Sequence, residues 1–204
     1  MPNDKKEHVD FQKSFFDHNV DVFRKPIPDD VIERSREITR TAVPGADSRI
    51  LDVGTGIGAF LRHYNECGVA YSNIVGCDLS TEMLKEAKER FPEVRFWQGD
   101  VLYIPDEIGR FDLVVFNACF GNIFDQLAVL KKSRSLLNRG GRIAISHPMG
   151  NAFVQQLKDM EPKLIHTLLP DREKILEWAE ELGMEIHTFR DEAQLYLAVL
   201  EDPK

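Results

Sequence analysis

Ile50-Leu51-Asp52-Val53-Gly54-Thr55-Gly56-Ile57-Gly58 is the stretch on which the reading of this chain turns. Arg49 to Val53 is a short apolar run of the kind that forms a strand buried on both faces. It leads directly into three alternating glycines and then a helical pattern. Glycine tolerates positive φ and lets a ligand approach the backbone closely. A helix N-terminus behind such a loop offers free N–H groups to an anionic or carboxylate-bearing ligand.

The pattern repeats outward from this point. Asn73-Ile74-Val75-Gly76-Cys77 reads as a second strand, Val94 to Trp97 as a third, Phe111 to Phe116 as a fourth and Arg142 to Ser146 as a fifth. Helical spacing fills Thr81–Phe91, Phe124–Leu137 and Arg172–Leu182, the last with Asp171 as N-cap and Gly183 as stop. The turn Asn138-Arg139-Gly140-Gly141 is expected before the fifth strand. Strands alternating with helices imply βαβ units on a parallel sheet. The runs Met184–Phe189 and Leu195–Leu200 are separated by only Arg190-Asp191-Glu192-Ala193-Gln194, too few residues for a parallel crossover. The expected fold is α/β, a doubly wound, seven-stranded, mostly parallel sheet with a reversed last strand. Residues 48–204 form that domain as one compact unit. Residues 1–47, with Phe11, Phe15, Phe16 and a helix from Pro28 to Thr41, form an N-terminal helical cap or lid.

Composition narrows the function. The 204 residues carry 26 Lys plus Arg against 34 Asp plus Glu, a net charge of −8. An acidic chain is poorly suited to tracking phosphates, so no nucleic-acid partner is expected. No apolar run is long enough to span a bilayer. Cys67, Cys77 and Cys119 form no CxxC pair, so neither a disulfide framework nor a cysteine-rich metal site is expected. The polar N-terminus lacks the apolar core of a signal peptide. The expected location is cytoplasmic.

Three further residues sit at strand ends where open α/β sheets bind ligands. Asp78 follows the second strand, 20 residues after Gly58. A carboxylate there can accept both hydroxyls of a ribose, as for an adenosine-containing cofactor. Asp100, in Gly99-Asp100-Val101, can meet an adenine amino group. Asn117-Ala118-Cys119-Phe120 follows the fourth strand. Gly54-x-Gly56-x-x-Ala59 also satisfies a nicotinamide-dinucleotide pattern. An NAD(P)-dependent reductase is therefore a rival, although no Tyr-x-x-x-Lys appears.

The set Asp52/Gly54/Gly56/Gly58, Asp78, Asp100 and the loop after the fourth strand resembles the class I S-adenosylmethionine-dependent methyltransferases. The resemblance runs from about residue 48 to 200. Within that class the chain looks most like the small type 11, ubiquinone/menaquinone-biosynthesis-like enzymes, with Phe15-Phe16-Asp17 similar to part of an aromatic-plus-Asp signature. The resemblance implies S-adenosylmethionine as cofactor and S-adenosylhomocysteine as product. Asp52, Gly54, Thr55, Gly56 and Gly58 would face its methionine part. Asp78, Leu79 and Met83 would surround the ribose and adenine, and Asp100 and Val101 would meet the adenine ring. Asn117, Ala118 and Phe120 would lie near the methyl group. The alternative on the same fold is a non-catalytic S-adenosylmethionine-binding regulator.

A methyl acceptor with a high pKa needs a general base. His147, after the fifth strand, is the candidate, with a loop histidine capping a carbonyl as the alternative. Phe11, Phe15, Phe16, His18 and His166 are expected to wall a pocket for a small, partly apolar acceptor, together with an inserted helix over Asn151–Leu169. The apolar stretch Phe153–Leu157 is alternatively a homodimer contact. His63 and His187 are expected on the surface.

Overall fold

The computed structural model describes residues 2–203. Its elements are α1 Pro2–His18, α2 Val20–Phe23, α3 Asp29–Ala42, β1 Ile50–Val53, α4 Leu61–Glu66, β2 Ile74–Asp78, α5 Thr81–Arg90, β3 Arg95–Gln98, β4 Phe111–Asn117, α6 Gln126–Ser135, β5 Leu137–His147, α7 Gly150–Met160, α8 Arg172–Leu182, β6 Glu185–Glu192 and β7 Leu195–Glu201. The seven strands form one sheet in the order β3-β2-β1-β4-β5-β7-β6. All neighbours pair parallel except β7, which is antiparallel to both β5 and β6. The doubly wound sheet with its reversed last strand is the architecture the sequence predicts.

Strand periodicity explains the layers. Leu51 and Val53 of β1 point into an apolar cluster with Val114, Phe116, Ile143, Ile145 and residues of α6 and α8. Ile50 points the opposite way, into a second cluster with Ile38 and Ala42 of α3 and Leu61 and Tyr64 of α4. Two filled faces need strands that are apolar throughout, which is why these runs lack alternation. The helices start where capping groups stand. Ser80, Asp125 and Asp171 each accept a backbone N–H of the following turn, from Met83, Ala128 and Lys174. Each such cap contributes about 1 kcal/mol. Gly183 ends α8 in the left-handed conformation, φ 61°.

Several boundaries differ from the sequence expectation. The turn expected at Asn138–Gly141 is instead the entry of β5, which begins at Leu137. Phe111 pairs with Leu137, the register then shifts, and Leu113 pairs with Arg142. The Asp202 carboxylate accepts from the Gly140 N–H and pairs with Arg134, holding the irregular segment in the sheet. The last two strands extend until Glu192 pairs with Leu195, so the five-residue gap shrinks to the turn Ala193-Gln194. The inserted helix α7 stops at Met160 rather than Leu169.

The N-terminal segment divides. α3 packs on a sheet face as part of the ordinary layer, through Ile38 and Ala42. The part before it, α1, α2 and the linker to Pro28, lies over the carboxyl ends of the strands, and Val31, Ile32 and Ser35 of α3 line the same cavity. The Asp17 carboxylate fastens it there, accepting from the Ser80 hydroxyl at 2.6 Å and the Glu82 N–H at 3.2 Å. Arg24 adds an ion pair to Glu86 at 2.6 Å.

Candidate functional site

A cavity of about 730 Å³ opens at the carboxyl edge of the sheet. It lies where the strand order reverses, with β1 flanked by β2 and β4. This is where ligands enter open α/β sheets. The cavity has a polar floor, built from the ends of β1, β2 and β4, and an apolar roof contributed by the N-terminal segment and α7.

The floor starts at the glycine loop. Gly54 and Thr55 both donate to the Cys77 carbonyl, at 2.8 and 3.1 Å, and Gly58 donates to Thr55. The Gly56 N–H donates to Asp78 Oδ2 at 2.8 Å, while Ser80 N donates to Asp78 Oδ1 at 2.8 Å. Most loop amides are thus consumed internally, and α4 begins only at Leu61 and has six residues. The expected anion seat at a helix N-terminus is therefore absent. The amides of Ile57 and Ala59 make no hydrogen bond to the described residues, and both residues line the cavity.

The three glycines differ. A Cβ on Gly54 would stand 2.7 Å from Cys119 Cβ, because the loop after β4 packs directly on it. Gly56, at φ 53°, faces open space: a Cβ there would have nothing within 4 Å. Gly58 lies under Phe91 and Leu61 and does not line the cavity, so its role is to close loop against helix.

Two carboxylates flank this loop, Asp52 buried and Asp78 half-buried. Asp52 is 2 % exposed, and its Oδ1 accepts from the Tyr64 hydroxyl at 2.9 Å. Its Oδ2 and the Thr55 hydroxyl have no partner among the described residues. Burial pushes Asp52 up to about 6, and the nearby charge of Asp78 adds to the effect. Asp78 is also raised by burial, against the pull of its backbone N–H donors. Asp100 caps the turn Val101–Tyr103 through Leu102 N and lines the cavity with Val101, Leu79 and Met83. Buried carboxylates with spare lone pairs call for donors: an ammonium, hydroxyls or an amino group.

After β4, Asn117 Oδ1 accepts from the Ser146 hydroxyl, leaving the amide N–H groups to the cavity. Ala118 takes φ 53°, a conformation that costs a non-glycine residue about 1–2 kcal/mol. Cys119 donates its thiol to the Val53 carbonyl, and burial holds that thiol well above its ordinary value. Phe120 is fully buried against Phe116 and Trp178 and belongs to the core, not to the site. Its one-residue offset from Cys119 on a tight turn decides that, and the sequence does not display it.

The roof carries Val9, Phe15, Phe16, Val22, Phe23 and Ile27 over the cavity, facing Phe153, Val154 and Leu157 of α7. Phe11 rests on Phe15 without reaching the cavity. His18 is exposed and bonded to the Ser14 carbonyl. His166 stacks on Phe124 with ring centroids 4.6 Å apart, outside the lining. His63, expected on the surface, is buried beneath Phe60, with its Nδ1 3.2 Å from Glu66. Gln12 and Asn122 also line the cavity and bond each other at 3.1 Å. The helical spacing of Gln12 from the aromatic face of α1 is the one signal in the sequence for its inward orientation.

His147 lies at the end of β5, lines the cavity and is 6 % exposed. Its Nδ1 accepts from the Met149 N–H at 3.2 Å. Desolvation lowers it to about 4. It is neutral near pH 7, and the proton of the neutral ring is on Nε2. In this arrangement its Nε2–H is turned to the cavity.

Comparison with known proteins agrees with this geometry. A family model described as "Methyltransferase domain" matches residues 50–141, which run from the start of β1 into the first part of β5. The chain is 34% identical over 127 residues to the demethylmenaquinone methyltransferase of Lactococcus lactis subsp. lactis, covering 56% of this chain and 50% of that protein. It is 25% identical over 166 residues to that of Paenarthrobacter aurescens, covering 70% of this chain and 64% of that protein. The chain thus spans roughly half the length of the curated relatives it matches. Among solved structures, the N-methyltransferase NodS of Bradyrhizobium japonicum with S-adenosyl-L-homocysteine superimposes with TM-score 0.72 at 16% identity, over 95% of this chain and 99% of that one. Magnesium protoporphyrin IX methyltransferase from Synechocystis gives 0.70 at 16% identity, over 96% and 99%. Residues 50–141 thus carry a methyltransferase domain, and the whole chain has the fold of methyltransferases of known structure. Among the described residues, no helix is long and apolar enough to cross a membrane.

Proposed function

We propose that this protein transfers a methyl group from S-adenosylmethionine to a small, flat, largely apolar acceptor. The observation that carries the reading is the pair of carboxylates, buried Asp52 and half-buried Asp78, on either side of an open glycine loop. The donor molecule brings the groups that this floor lacks. Its ammonium suits the unpartnered edge of Asp52, and its carboxylate suits the free amides of Ile57 and Ala59. Its ribose hydroxyls suit Asp78, and its adenine amino group suits Asp100, with Leu79, Met83 and Val101 against the ring. S-adenosylmethionine supplies a methyl group already activated on a sulfonium. The protein's task is then to position and to exclude water. Holding two reactants in register contributes on the order of 7–11 kcal/mol.

The roof defines the acceptor side. Phe15, Phe16, Phe153, Val154 and Leu157 offer an apolar, aromatic wall, with few charges near the methyl-transfer region. That supports a ring-bearing acceptor. The demethylmenaquinone methyltransferases among its relatives point the same way, toward a quinol-like ring. We assign the closure of the site over that acceptor to residues 2–28.

Thermal unfolding with S-adenosylmethionine, S-adenosylhomocysteine and NADH in separate samples tests the cofactor. A ligand at 100 times its dissociation constant adds about 2.7 kcal/mol of stability. Stabilisation by the two adenosyl compounds and not by NADH is expected; the reverse would make this a reductase. Asp78→Ala is expected to weaken S-adenosylhomocysteine binding by about 1.5–3 kcal/mol, the cost of a charge-assisted hydrogen bond. Titration calorimetry reads it, and unchanged affinity would remove Asp78 from the site. Binding without methyl transfer to any quinol would leave the non-catalytic reading.

A further inference from the structure

The corner that carries His147 is built more firmly than a loop needs to be. Pro148 is held by Arg34 of α3, whose Nε donates to its carbonyl at 2.6 Å. Gly150 takes φ 73°, and a Cβ there would stand 2.8 Å from the Glu192 and Ala193 carbonyls of the β6–β7 turn. Between them, the Met149 N–H is spent on His147 Nδ1 at 3.2 Å. The ring is flanked by Phe153, with centroids 5.5 Å apart and planes tilted by 42°. The residue is buried, with 6 % of its surface exposed, and it lines the cavity. The one hydrogen bond of the ring among the described residues is the one at Nδ1, which leaves Nε2 to the cavity. A backbone N–H can only donate, so Nδ1 is the bare nitrogen and Nε2 carries the hydrogen. The structure therefore presents a neutral N–H donor, set in a mostly apolar cavity and lacking a partner among the described residues.

We propose that His147 is a positioning residue for the acceptor. Its Nε2–H binds a carbonyl or ring oxygen on a flat apolar body that lies against Phe153, and it disfavours an ammonium in the same place. This rests on the methyl-transfer reading for its biological meaning but not for its test. A donor that the ligand covers without offering it a lone pair is penalised. A protonated amine brings only N–H groups and meets this donor head-on. The inference deepens the acceptor class: an oxygen-bearing ring rather than an amine or a plain hydrocarbon.

Three probes share one carbon frame: α-tetralone with a ketone, tetralin without it, and 1-aminotetralin with an ammonium. Each is titrated against the intact protein by NMR, with and without S-adenosylhomocysteine. The ketone is expected to bind at least fivefold more tightly than tetralin, with the amine weakest. His147→Phe should erase the preference for the ketone while leaving S-adenosylhomocysteine affinity unchanged. His147→Gln, which keeps an N–H, should restore part of it. Equal binding of ketone and tetralin, no binding of the ketone, or a preference that survives His147→Phe would overturn the proposal. Nitrogen NMR of the wild-type imidazole tests it without a variant. A pyrrole-type Nε2 and pyridine-type Nδ1 are expected, and the opposite tautomer would sink it. Failure of S-adenosylhomocysteine to bind in the same titrations would strike the methyl-transfer reading alone.

Discussion

The floor and the roof of the cavity are made on different physical plans. The floor is backbone: strand ends, glycine amides and carboxylates held largely by N–H groups of the adjoining loops. Its pieces stay where the sheet puts them. The roof is side chains on three helices and a linker, with Val22 and Phe23 53 % and 42 % exposed. It is joined to the floor mainly through Asp17, Arg24 and the Gln12–Asn122 bond. A floor of this kind suits a ligand of fixed chemistry, and a roof of this kind suits one whose shape varies among relatives. The contrast teaches that damage to the floor should register as lost fold and lost donor binding together. Damage to the roof should leave both nearly intact.

The sharpest way to break that contrast is within the glycine loop itself. Gly54→Val places a branched side chain where Cys119 Cβ and Sγ already stand 2.7 and 2.8 Å from a Cβ, at φ 70°. The left-handed penalty is about 1–2 kcal/mol and overpacking adds about 1–3 kcal/mol. A loss of roughly 2–5 kcal/mol should lower the unfolding midpoint by about 5–20 °C at this chain length. Gly56→Ala meets nothing within 4 Å, so only the backbone penalty applies and the fold should lose about 1–2 kcal/mol. Its methyl nevertheless enters the cavity, and donor binding should fall well beyond the loss in stability. Calorimetric unfolding and S-adenosylhomocysteine titration on both variants check this. Equal midpoints would show that the Cys119 packing is not what holds the loop.

A smaller effect separates floor from roof by pH. Asp52 is pushed by burial from an ordinary value of 3.8 to about 6. Below about pH 4 it is protonated in both states. As pH rises to about 6, the unfolded chain releases its proton first, so the folded state loses relative stability over that window. The loss is on the order of 2–3 kcal/mol, complete above about pH 6. Asp52→Asn should flatten this slope and leave the unliganded protein more stable at neutral pH. It should also weaken binding of the ammonium-bearing donor. Denaturant melts at about pH 4.5, 5.5 and 7, with and without the substitution, read both arms. A slope unchanged by Asp52→Asn would mean that another group titrates there.

How much of the molecule is legible in the sequence divides along the same line. The floor can be read because its chemistry is local. Glycines at spacing two, and a polar residue at the end of each of the first four apolar runs, fall at strand ends once the strands are recognised. Asp52, Asp78, Asp100 and Asn117 all line the cavity as expected. The exceptions, Gly58 and Phe120, are off the floor, where a residue's direction depends on loop geometry that no periodicity reports. The roof is legible as apolar but not in detail. Phe15 and Phe16 reach the cavity, whereas Phe11, His18 and His166 do not. Their directions depend on how α1 lies across the sheet. Contacts far along the chain decide that, such as Gln12 with the Leu164 carbonyl. His147 stands where the sequence places it, but the Met149 amide that occupies its Nδ1 is a product of the turn, which no sequence pattern reports.

The smallest expected effect lies at Asp17, where the roof meets the floor through Ser80. Desolvation would raise this carboxyl, but hydrogen bonds from Lys13, Ser80 and Glu82 outweigh it and hold it below the ordinary value of 3.8. A depressed carboxylate contributes stability above its unfolded pKa and loses it as pH falls through the folded one. The latch therefore weakens under acid, in the window below about pH 4, whereas Asp52 disfavours the fold as pH rises from about 4 to 6. Floor and roof titrate in opposite directions, so acid should loosen α1 before it unfolds the sheet. Asp17→Ala should reproduce that loosening at neutral pH. Global stability should change by no more than about 1 kcal/mol, the range for a largely surface-side ion pair. Amide protection along α1 should drop severalfold while protection in β1 and β4 stays constant. Hydrogen exchange on wild type and variant decides it: equal loss across roof and floor would show that the two regions unfold as one unit, and the distinction between them would fail.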